Sequence, residues 1–249
     1  MSATYTYDGT FEGFLTALAL AVEKKLPGSE IARENAVEAG LFSEFIRAGS
    51  DPIKASAARA LIERRGSAGS WHYVRYAFLS EAPGVETAIL EYVRLLLDKG
   101  RTADNMLADD RVKKVHALSA KVGGEAHRFM GFVRFKELAD KTLYSKIEPD
   151  HNILPLLAPH FRVRLGTFNW VIHDARRNNA ALYFKEKLVY APLSAAELTE
   201  DAKEAEVREL WKHFFKTAAI KERMNPELQR QNVPLKYRKN LTEFDRGAE

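Results

Sequence analysis

Apolar residues recur at helical spacing through most of the first half of the chain. Phe11, Phe14, Leu15, Leu18 and Val22 mark an amphipathic helix that closes before Pro27-Gly28. Ahead of it, Thr4 to Tyr7 alternates β-branched and aromatic residues, which predicts a short strand turned by Asp8-Gly9. Ser50-Asp51-Pro52 offers a cap and a first-turn proline for a second helix, with Ala55, Ala58, Leu61 and Ile62 as its apolar side. Gly66 and Gly69 break the pattern, and Ser70 is placed to cap a third helix carrying Trp71, Val74, Phe78 and Leu79. Pro83-Gly84 separates a fourth, Val85 to Leu97, closed by Gly100. A fifth runs from Asp109 to near Lys121 on Val112, Val115 and Leu118, with Gly123-Gly124 ending or kinking it.

After Met130 the period shortens. Strands are predicted at 132–136, 142–147, 167–172, 181–185 and 188–191. Between the second and third, 152–165 is helical, with Asp150 or Asn152 as cap and Pro159 as a point of kinking or restart. The order is β-β-α-β-β-β. Short connections at Arg176-Arg177-Asn178-Asn179 and Glu186-Lys187 argue for antiparallel hairpins. That order differs from the RNA-recognition motif. A charge-laced helix over 198–217, with Leu210, Trp211, Phe214 and Phe215 at its apolar end, and a tail over 220–244 complete the chain. The fold class expected is α+β: a helical region over 1–126, then a small, mostly antiparallel sheet with a C-terminal helix and tail packed on the body over 127–249.

Charge changes this picture by location. Residues 1–126 carry 16 Lys/Arg against 17 Asp/Glu, residues 127–192 carry 11 against 6, and residues 193–249 carry 11 against 11. The whole basic surplus therefore lies in the strand-rich stretch, which also holds four of the seven histidines. A basic block on one element is the footprint expected of phosphate binding, and a solvated face is its bland alternative. The chain has no cysteine, which excludes disulfides, thiolate nucleophiles and cysteine-held iron–sulfur clusters. No apolar run reaches membrane-spanning length and no secretory signal opens the chain, so a cytoplasmic protein without a membrane partner is expected.

Three groups of residues carry candidate chemistry. The first is an acid–base or metal cluster of His151, His160, His173 and Asp174, with His127 and Asp150 nearby in sequence. No tight ligand spacing supports it, so no cofactor is expected beyond the bare possibility of a divalent metal. The second is Asp174 with Arg176 and Arg177, read either as a phosphate-binding hairpin tip or as a polar turn with its own ion pair. The third is the sheet's cations, Arg128, Arg134, Lys136, Arg162, Arg164 and Lys185, interleaved with aromatic residues that could stack bases. Trp170 reads as core. The cluster Trp71, His72, Tyr73, Arg75 and Tyr76 reads as core before it reads as a stacking surface. No nucleophile elbow, Walker loop or dinucleotide fingerprint occurs.

These residues assemble into a resemblance. Tyr7-Asp8-Gly9 with Phe11-Glu12-Gly13, then His127-Arg128-Phe129-Met130-Gly131-Phe132, Pro149-Asp150-His151, His160-Phe161, Trp170, Asp174 and Arg177 resemble a bacterial family described as DNA-metabolism proteins of unknown activity. Trp211, Phe214-Phe215, Asn225, Leu228-Gln229, Pro234 and Tyr237 extend the likeness toward the C-terminus, while Arg238 and His173 stand where that pattern has an aromatic. The resemblance implies DNA as a partner and a neighbouring radical-SAM protein of DNA modification or repair. It also implies kinship with a domain fused to uracil-DNA-glycosylase-like proteins, and it carries no catalytic residue. The expectation is a DNA-binding accessory or repair factor. The alternatives are a metal-dependent enzyme on damaged or modified nucleic acid, and a protein-interaction scaffold.

Overall fold

The computed structural model describes residues 3–36, 44–138, 141–193, 232–241 and 244. The helix expected over 198–217 and the first part of the tail lie outside the described residues. Two compact units divide between Gly123 and Gly124.

In the first unit, strand β1 (Ala3–Tyr7) pairs in parallel with β2 (Glu30–Arg33) on one side and β3 (Glu44–Arg47) on the other. This sheet corrects the expectation of a single strand in an otherwise helical region. Helix α1 (Phe11–Lys24) follows β1 and is capped by Thr10, whose side chain accepts from the Gly13 N–H. Helix α2 (Pro52–Arg65) starts on Asp51, whose carboxylate accepts from Ile53 and Lys54, as the Ser-Asp-Pro signal predicts. Helices α3 (Ser70–Leu79) and α4 (Val85–Lys99) complete the body. Tyr7, Phe11, Phe14 and Phe78 form the aromatic centre, with Phe14 and Phe78 stacked at 4.9 Å. Trp71 joins this centre through Phe11 and lies under the Arg59 guanidinium, in keeping with a packing role.

Helix α5 (Asp110–Phe132) is one uninterrupted helix. Gly123-Gly124 do not end it, and the strand expected from Phe132 begins only at Lys136, because the helix takes Phe132 and residues 133–135 are irregular. Strands β4 (Lys136–Glu137), β5 (Leu143–Ile147), β6 (Trp170–Asp174), β7 (Asn179–Phe184) and β8 (Lys187–Pro192) form a five-stranded sheet in that order. Only β5 and β6 are parallel, joined by helix α6 (Leu154–Arg164), and the other three pairings are antiparallel. The β-β-α-β-β-β order and mostly antiparallel character agree with the sequence pattern.

Every residue of β6 is buried, and Trp170 stacks on Tyr183 of β7 at 5.3 Å. Helix α6 runs through Pro159 without restarting. Its cap is Ile153 and carries no side-chain hydrogen bond. Asp150 and Asn152 therefore do not cap it, because the Asp150 carboxylate is engaged elsewhere. Helix α7 (Leu235–Arg238) is a single turn from the tail and buries Tyr237.

Candidate nucleic-acid interface

The parallel pair β5 and β6 sends both carboxyl ends the same way, with Ile147 opposite Asp174. The loops leaving these ends build a dense polar network. Buried Glu125 of α5 accepts the backbone N–H groups of Asp150 and His151, each at 2.8 Å, and the hydroxyl of Tyr237. The Asp150 carboxylate accepts from Arg176 at 3.1 Å, from Tyr237 at 3.2 Å and from the Lys236 ammonium. Lys239 closes a further pair on Glu148. Burial and then the hydrogen bond to Glu125 push the Tyr237 hydroxyl well above the ordinary range, so it stays protonated and donates.

Arg177 ties the two loops together. Its guanidinium donates to Asp174 Oδ2 at 2.9 Å, to the Asp150 carbonyl at 2.9 Å and to the Pro149 carbonyl at 3.3 Å. Asp174, fully buried, also accepts the backbone N–H groups of Arg176 and Arg177. This is the polar-turn form of the hairpin: Arg177 holds loops in place, and Arg176 alone stays open to solvent beside Asp150.

The expected histidine cluster is divided among different surroundings. His173 and Asp174 are successive residues of one strand and face opposite sides of the sheet. His173 Nδ1 lies 2.8 Å from the Tyr144 hydroxyl; burial, and then the Lys146 charge, lower its pKa and keep the ring neutral. His160 packs edge-on against Phe161 with its Nε2 buried and unpartnered, and His151 meets Glu125 through its backbone. Among the described residues, no group of three or more His, Cys, Asp or Glu is arranged to hold a metal ion.

The remaining cations fall into two sets. Arg128 has its Nε buried, Arg134 donates to the Gly131 carbonyl at the end of α5, and Lys136 lies over the Tyr144 ring. Arg162, Arg164, Lys185 and Lys187 are exposed and form no ion pair among the described residues. These four gather at the opposite end of β6 from the Arg177 network. Tyr183 donates to the Gly166 carbonyl just after α6, and the Lys185 N–H donates to the Asn169 side chain just before β6. The end of α6 is thereby fastened to the β7–β8 turn. That turn holds Lys185 and Glu186 at φ +46° and +66°, a left-handed pair without glycine. Phe168 and Phe184 are exposed beside it, at 52% and 40%. Sequence reasoning selected Arg162, Arg164 and Lys185 but missed Lys187; it placed Phe168 inside a strand that begins only at Trp170, while Phe184 does end a strand as expected. It missed Glu125 as well, since a mid-helix glutamate carries no local signal of burial.

The fold and the exposed cations together describe an α+β chain with a small mixed sheet and one basic end. It belongs to the family described as a domain of unknown function, DUF4130, whose model matches residues 83–243. No curated protein and no solved structure gives a match. Membership in a family of unknown activity agrees with the expectation from the motifs. Among the described residues, no helix is long and apolar enough to cross a membrane.

Proposed function

We propose that this chain is a DNA-binding accessory factor of DNA modification or repair, acting beside a radical-SAM protein and holding DNA at the end of its second sheet marked by the β7–β8 turn. The observation that carries the proposal is how the basic surplus is distributed. Arg177 and Arg176 are engaged by Asp174 and Asp150, whereas Arg162, Arg164, Lys185 and Lys187 face solvent at one end of the sheet. Unneutralised cations on a rigid element are what a phosphate backbone requires, and they cost nothing to release from a competing carboxylate. Two arginines in the last turn of α6 also favour its carboxyl end, so they serve the helix whether or not DNA is bound. The radical-SAM partner rests on the family resemblance alone.

Fluorescence anisotropy with labelled DNA at low salt tests the binding half. Four contacts give a slope of about −3 in log K against log salt. Arg162→Ala with Arg164→Ala, Lys185→Ala and Lys187→Ala together abolish binding at about 100 mM salt, while Arg176→Ala leaves the slope unchanged. No binding by the intact chain at low salt overturns the proposal. Copurification of an iron–sulfur radical-SAM protein with the tagged chain tests the partner half, and its absence removes that half.

A further inference from the structure

The four cations account for attraction to any nucleic acid. They do not account for Phe168 and Phe184. Contacts to phosphates are made by the cations and leave two exposed phenylalanines beside them without a role. The two rings stand at the end of the sheet that also carries the four cations, which form no ion pair among the described residues. Antiparallel pairing of Trp170 with Tyr183 ends β6 and β7 together, so residues 169 and 184 lie side by side at that end. Phe168 sits just before this end and Phe184 at it. Neither ring contacts another aromatic ring among the described residues, while Trp170 and Tyr183, immediately inside, are buried and stacked on each other. The inner aromatic pair therefore fixes this end, and the outer pair is left with open faces. Glu186 is the one acidic residue of the β7–β8 turn, set between Lys185 and Lys187, and the cations outnumber it four to one at this end.

We infer that this end of the sheet binds single-stranded DNA, with Phe168 and Phe184 stacking on unpaired bases while Arg162, Arg164, Lys185 and Lys187 follow the phosphates. The inference rests on the DNA-binding reading above and adds the substrate class to it. A single strand offers its base faces without the unstacking cost that wedging a ring into a duplex carries. Open rings flanked by cations are the combination that sequence-tolerant single-strand binders use. The strained Lys185-Glu186 turn keeps Phe184 and both lysines at the end of the hairpin, where a wider glycine turn would let them move.

The test compares a labelled mixed-sequence single strand of fifteen nucleotides with the matched duplex, by anisotropy at low salt. The intact chain binds the single strand at least tenfold more tightly. Phe168→Ala with Phe184→Ala weakens single-strand binding by about fivefold or more per ring and leaves the salt slope unchanged, because the phosphate contacts remain. Phe168→Trp with Phe184→Trp retains affinity. Both positions are exposed, so thermal melts of these variants superimpose on that of the parent. Equal or tighter duplex binding, or single-strand binding indifferent to both alanines, overturns the inference and leaves DNA binding standing. Failure to bind either probe removes both readings.

Discussion

Asp104 in the first unit and Asp174 in the second are both buried carboxylates, and the chain holds them in opposite ways. Asp104 accepts from Ser67 at 2.6 Å, Ser70 at 2.5 Å, the Tyr92 hydroxyl and His116 Nε2 at 3.3 Å. Asp174 has a guanidinium at 2.9 Å and two backbone N–H groups beyond 3 Å. Burial raises the pKa of both. At Asp104 the hydrogen bonds outweigh burial and the net shift is downward. At Asp174 burial prevails over Arg177 and the net shift is upward. The difference follows burial as well as partners: Asp104 keeps some exposure and four side-chain partners, whereas Asp174 is fully buried with one guanidinium and two backbone N–H groups. The first arrangement binds α3, α4 and α5 of the first unit together. The second orders a pair of loops and leaves part of the electrostatic cost in place.

The comparison is broken most severely at Asp104. Asp104→Ala strands four donors in the interior and destabilises the first unit by about 3–5 kcal/mol, measured by urea denaturation at pH 7. Since the folded pKa is lowered, the stabilisation from Asp104 is full above its ordinary value of 3.8 and is lost as pH falls through the folded value. Arg177→Ala comes next, at about 2–3 kcal/mol at pH 7, because Asp174 is then buried without its cation. The raised pKa of Asp174 sets a distinctive sign. Its charge destabilises the fold at neutral pH, and the deficit of Arg177→Ala shrinks as acid protonates the carboxyl. A deficit that stays constant to pH 4 contradicts this assignment. The smallest effect belongs to His173. Its lowered pKa makes stability full above its ordinary value of 6.5 and declining below it, so His173→Gln flattens the loss between pH 7 and 5 by under about 1 kcal/mol.

Legibility in the sequence followed the range of the interaction. Period, caps and glycines located α1 to α4 and the strands of the second sheet, because each signal is contained in a few neighbouring residues. Ser70 and Asp150 show where that reading fails. Both have the composition of helix caps, and both spend their side chains on distant partners: Ser70 on Asp104, and Asp150 on Arg176, Lys236 and Tyr237. Strands β2 and β3, Glu-Ile-Ala-Arg and Glu-Phe-Ile-Arg, are four residues long with charged ends, too short to show a period. At the candidate interface the cations Arg162, Arg164 and Lys185 were visible as residue types. Which of the chain's arginines were already engaged was not, since Arg177 is bound by loop carbonyls at 149 and 150.

Tyr237 reaches Glu125 across 112 residues of chain. At a synthesis rate of about 5–20 residues per second, Glu125 leaves the ribosome roughly 6–20 s before the hydroxyl that satisfies it. Until then a carboxylate destined for burial faces water and resists docking against the loops it later organises. A chain that stops before Tyr237 therefore leaves the Glu125 carboxylate without the hydroxyl that helps to satisfy it inside the second unit.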